Sequence, residues 1–127
     1  MFVADANTPR AWRIVEQYQQ PIYSLWTVAE FSSALGLQVR MERLEPAERL
    51  SAETRLDQWL ASGAEPVPPA PEDFILVRKM LRTTTVSLRT PDALHLAICT
   101  RLGAALASFD KKMQQVAVEL RTAAIEV

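Results

Sequence analysis

One cysteine and one histidine are all the thiol and imidazole this 127-residue chain contains. Cys99 alone closes no internal disulfide, which points to a reducing cytoplasm. His95 alone builds no histidine-cluster metal site, so its ordinary role is a half-buried support of its helix. Nothing approaches the roughly 18-residue charge-free apolar run that a membrane span needs, and a membrane partner is not expected. The N-terminus also lacks the basic-then-apolar order of a leader peptide, and no internal repeat or low-complexity tract is visible. What remains is 49% apolar sequence, enough for one core, and the expectation is a single domain over residues 1–127.

Charge is balanced overall at −1 but unevenly distributed. Residues 40–72 carry four arginines against seven acids, a net of −3, whereas from Asp73 onward eight cations face five acids, a net of +3. A basic C-terminal part attracts a polyanion; it is equally what solvated helix faces look like. Charge alone does not decide between them.

Apolar spacing gives a run of helices broken by short extended pieces. Asn7 or Thr8 with Pro9 opens a helix over residues 7–19, and Pro21 stops it. PIYSLWT (21–27) reads as a buried strand. Val28, Phe31, Leu35 and Val39 line the next helix, with Gly36 a local weakness, and a third runs over 47–61. Prolines in the 62–74 stretch allow a strand near Val67 only at a sheet edge. A helix over 72–82 follows, then a polar threonine turn and an extended piece over 86–90. Another helix opens at Thr90-Pro91-Asp92. ALASF (105–109) reads as a strand, residues 111–120 as a helix, and AAIEV as a last strand. Alternation of this kind predicts an α/β fold, a parallel sheet wrapped by helices, with functional groups beyond the carboxyl ends of the strands.

Three carboxylates fall at such junctions: Glu30, Asp92 and Asp110. Each has a structural explanation. Thr27 and Glu30 match a capping box, Asp92 suits the first turn after a Thr90 cap, and Asp110 can cap the helix that follows it. Together they have a chemical one. Parallel neighbouring strands bring the three to one rim, where they repel one another unless a cation sits between them. Oxygen ligands without a thiol or imidazole cluster suit Mg²⁺, with Mn²⁺ the alternative. Such ions activate water and assist displacement at phosphorus. Arg78, Lys79 and Arg82 with Arg89 either line a path for a polyanion or solvate a helix.

TVAEF (27–31), TPDALHLAIC (90–99) and LGAALASFDKKM (102–113) resemble, in order and spacing, the PIN-domain ribonucleases, above all the VapC-type toxins of bacterial toxin–antitoxin pairs. The resemblance implies a PIN-like single domain, with a parallel sheet and helices on both faces. It implies Mg²⁺-dependent cleavage of an RNA substrate, restraint by a cognate antitoxin, and a homodimer. Carried over by position, Glu30, Asp92 and Asp110 match catalytic metal-holding acids, and Ser108 a small hydroxyl residue just before the last of them. His95 is a further candidate for contact with a metal-bound water or the RNA. The family's first strand ends in another metal-binding aspartate. Here the early candidate is Asp5 in MFVADAN, but its 25-residue separation from Glu30 is shorter than the family interval. FVADANTPRAWRIV resembles the segment after that strand, so the central first strand is expected to be missing.

Two activities follow as expectations: a metal-dependent endoribonuclease toxin, or a degenerate PIN domain that binds an antitoxin without cutting. A phosphatase-like hydrolase on a similar sheet is a third.

Overall fold

The computed structural model describes residues 13, 14, 17, 22–63 and 65–125. The segment that bears on the missing first strand, Asp5 and most of the helix over 7–19 lie outside the described residues; Arg13, Ile14 and Gln17 of that helix are helical. The chain divides into two compact units, Met1–Pro68 and Pro69–Val127.

In the first unit, β1 (Ile22–Ser24) leads without a loop into α1 (Leu25–Arg40). The switch falls three residues earlier than PIYSLWT suggested, and the reason is Ser24. Its backbone is extended and its Oγ accepts the Trp26 amide at 3.1 Å, so the helix is capped there rather than at Thr27. Leu35 is buried, and Val28, Phe31 and Val39 are half-buried on the same face, as the spacing requires. Gly36 is buried too, and a Cβ there would come within 3.3 Å of the Arg40 guanidinium. Pro46 opens α2 (Pro46–Ala61), where the Glu45 amide donates to Glu48 Oε2 at 2.8 Å. Ser32 on α1 donates to Glu53 on α2 at 3.0 Å, and Trp59 lies against Tyr23 of β1 with ring centroids 5.5 Å apart.

β2 (Glu65–Val67) pairs with β1 in parallel, Tyr23 opposite Pro66. Among the described residues β2 has this one neighbour, which is what Pro66, lacking an amide donor, permits. The parallel pairing makes the fold α/β, as expected.

In the second unit, α3 (Pro71–Thr83) and α4 (Thr90–Leu102) pack extensively against each other, and α5 (Lys111–Glu119) joins α4. Val77 and Met80 of α3, Leu94, Leu96 and Ile98 of α4, and Met113 and Val116 of α5 are buried. Gly103, at φ 62°, ends α4 in the left-handed conformation that favours glycine. The two strands expected around it shrink to one parallel bridge, Leu106 to Ala124. Leu106 exchanges backbone bonds with Ala123 and Ile125 at 2.8 Å, and the chain then turns away at Ser108 toward α5. Residues 86–89 pair with no strand among the described residues. No helix among the described residues is long and apolar enough to cross a membrane.

Candidate functional site

Asp110 is the N-cap of α5. Its Oδ1 accepts the amides of Lys112 at 2.8 Å and Met113 at 3.2 Å, satisfying two donors that a helix start leaves open. Its Oδ2 makes no hydrogen bond among the described residues, and the residue is exposed. Ser108 holds the approach: its Oγ accepts the Asp110 amide at 3.1 Å, and its carbonyl accepts Gln114 Nε2 at 2.6 Å. The hydroxyl thereby fixes the backbone that aims Asp110, a positioning role.

Asp92 stands third in α4. Arg89, not Thr90, occupies the cap position, so Thr90 and Pro91 are the first two helical residues. Both Asp92 oxygens are engaged by Arg89, Oδ2 with Nε at 2.9 Å and Oδ1 with Nη2 at 3.3 Å. The carboxylate side chain is 15% exposed and the arginine 79%. His95 follows one turn later, half-buried. Cys99 continues that line, also half-buried, and burial pushes its thiol pKa up, as expected of a packing residue rather than a nucleophile.

Glu30 sits elsewhere in its helix than the capping-box reading placed it. With Ser24 as cap, α1 has no acid in its first turn, and Glu30 falls in the second turn, half-buried. The expected Thr27–Glu30 box is therefore not formed. Glu30 belongs to the first unit, Asp92 and Asp110 to the second. Among the described residues no group of three or more histidine, cysteine, aspartate or glutamate side chains is gathered for a metal ion.

The donors that are present suit a hard divalent cation in kind. Asp110 has a carboxylate oxygen without a hydrogen bond among the described residues, whereas each Asp92 oxygen already accepts from Arg89.

Sequence reasoning missed two contacts. Arg89 was grouped with cations that face RNA, although an arginine three residues before an aspartate is a local pairing signal. Asp73 and Arg101 carried no such signal, being 28 positions apart, yet they form a bidentate pair, Nε–Oδ1 at 2.7 Å and Nη2–Oδ2 at 3.0 Å. Asp73 Oδ2 also accepts the Ala70 amide at 2.7 Å. This buried pair ties the start of α3 to the last turn of α4, the helix whose other end carries Asp92.

No curated protein matches the chain. Residues 4–119 match the PIN domain, a span that takes in Asp5, Glu30, Asp92, Ser108 and Asp110 and reaches into both units. The chain therefore belongs to the PIN domain family.

Proposed function

We propose that the protein is a metal-dependent endoribonuclease, the toxin of a toxin–antitoxin pair. The observation that carries this reading is the PIN match over residues 4–119, whose span holds Asp92 and Asp110, each at the start of a helix. The whole chain acts as one PIN-like domain in the cytoplasm, a homodimer held in check by its antitoxin.

Asp92 and Asp110 are the groups we assign to Mg²⁺ or Mn²⁺; Glu30 matches a further acid of the family's set by its sequence position, and Asp5 is a weak candidate. When bound, the ion supplies Lewis-acid activation of water and stabilises charge developing on phosphate oxygens. The chain's own residues do the rest. The Lys112 and Met113 amides hold Asp110 in one orientation, and Ser108 holds the loop beneath it. Arg78, Lys79 and Arg82, all exposed on α3, make no ion pair among the described residues and offer phosphate contacts. Arg78 and Arg82 are one turn apart, an arrangement that costs helix stability unless an anion lies over them.

The decisive measurement is cleavage of structured RNA by the full chain with Mg²⁺ or Mn²⁺ and with EDTA. Cleavage with metal and none with chelator is expected; cleavage that persists in EDTA removes the reading. Replacing Arg78, Lys79 and Arg82 together by glutamine should weaken RNA binding. It should also flatten the dependence of log affinity on log salt by about 2, at roughly 0.7 per lost phosphate contact on a single strand. An unchanged slope would return these residues to plain helix solvation.

A second reading has its own observation in the Arg89–Asp92 pair, in which a guanidinium already neutralises the Asp92 carboxylate. On that reading the protein is a degenerate PIN domain that binds its antitoxin without cutting RNA. Partner binding without metal-dependent cleavage would select it.

A further inference from the structure

We propose that Arg40 and Arg49 form an anion site over Gly36 that takes a single phosphate monoester. The proposal stands apart from the nuclease reading of Asp92 and Asp110, because all three of its residues lie in the first unit. Gly36 is the one glycine inside a described helix, where glycine is poorer than any residue but proline. Arg40 follows it by one turn on α1, and α2 brings Arg49 to the same spot. A Cβ at Gly36 would meet Arg40 Nη1 at 3.3 Å and Arg49 Nη2 at 3.7 Å. Two guanidiniums from two helices therefore stand over one bare stretch of backbone, which is the room that glycine leaves.

Like charges this close repel, and the chain sets no acid between them. Neither guanidinium has an ion pair or hydrogen bond among the described residues, although residues 40–72 hold seven acids. The acids flanking Arg49 on α2 are occupied elsewhere: Glu48 accepts the Glu45 amide, and Glu53 the Ser32 hydroxyl. Arg49 is half-buried, so water screens its charge only in part. An oxyanion is the partner whose chemistry fits, since its oxygens accept from both planar forks at once. Charge then selects among oxyanions. Two guanidiniums balance a phosphate monoester, which carries about −2. A long polyanion would instead run across the acidic surplus of residues 40–72, net −3, and be repelled by it.

The test is calorimetric titration of the full chain with inorganic phosphate, adenosine monophosphate and adenosine, in EDTA so that no metal bridges the anion. Both phosphates should bind and adenosine should not. Tighter binding of the nucleotide would make it the source of the monoester; equal binding would show that the phosphate alone is read. Arg40→Gln, at an exposed position, should weaken phosphate binding by about tenfold or more, as the loss of a charge-assisted bond requires. Arg49→Lys, which keeps the charge and loses the fork, should weaken it less. Arg55→Gln makes the same charge change at an exposed position on α2 and should stay within about twofold of wild type. Without phosphate, Arg40→Gln should melt no lower than wild type, because it relieves a repulsion; a lower melting temperature would count against the site. Wild-type affinity in Arg40→Gln, equal weakening in Arg55→Gln, or no binding of either phosphate overturns the proposal. A short RNA without terminal phosphates that binds as tightly as adenosine monophosphate, and is weakened by Arg40→Gln, would overturn the monoester assignment and make the pair a backbone contact. None of these outcomes bears on the metal site.

Discussion

Asp92→Asn lowers Mg²⁺-dependent RNA cleavage by about 100-fold or more while the protein remains folded: this is the expected result if Asp92 holds the metal. The substitution keeps the shape of the side chain and removes its charge. Its structural cost is bounded by what Asp92 does for the fold. An exposed pair with Arg89 is worth at most about 1 kcal/mol, and a carboxylate in a first helical turn roughly 0.3–1 kcal/mol. Neither loss unfolds the protein, so a large fall in cleavage reports on the chemistry. Asp110→Asn offers an independent check, because asparagine caps a helix about as well as aspartate. The amides of Lys112 and Met113 keep their acceptor, and the carboxylate charge is what is lost. Cleavage by Asp92→Asn at the wild-type rate would end the nuclease assignment of this residue. Loss of cleavage accompanied by a collapsed melting temperature would instead make Asp92 a structural acid.

Helices were legible in this sequence because their signals are local. Leu35 with its half-buried neighbours on α1, and Pro91 at a helix start, could be read from spacing and from proline's fixed φ. The start of α1 was misplaced because two hydroxyl residues compete for one cap, and Ser24 is the one whose Oγ reaches an amide. That single shift carried Glu30 from the first turn to the second. Strands were less legible. ALASF has the composition of a strand, yet Leu106 is its one bridging residue, because pairing depends on what lies alongside rather than on the segment itself. At the candidate site, the positions of Asp92 and Asp110 at helix starts followed from the sequence. What their oxygens touch did not: one carboxylate caps backbone amides and the other holds an arginine, and side-chain geometry alone separates those fates.

Asp73→Asn should be the most destabilising conservative change in the second unit, costing about 2 kcal/mol at neutral pH. The carboxylate is fully buried and accepts three hydrogen bonds, two from Arg101 and one from Ala70. Asparagine turns one of its ends into a donor facing the donors of Arg101, and the buried guanidinium atoms lose their countercharge. Arg101→Gln should destabilise in the same direction by stranding the carboxylate. The double variant should recover part of the combined loss, since no unpaired charge then remains. Proton linkage gives the sign of the pH dependence. Burial pushes the Asp73 carboxyl upward, but the Arg101 hydrogen bonds, the Ala70 amide and the Arg101 charge together outweigh it and leave the pKa below its ordinary value. The unfolded chain therefore takes up this proton at a higher pH than the folded one does. The stability Asp73 contributes is complete above the usual carboxylate range, near pH 4, and drains away as pH falls through the lowered folded value. Wild type and Asp73→Asn should accordingly differ most at neutral pH and converge in acid when chemical unfolding is followed across pH. A gap that stayed constant to pH 2, or that widened in acid, would mean that the Asp73 charge is not what joins α3 to α4.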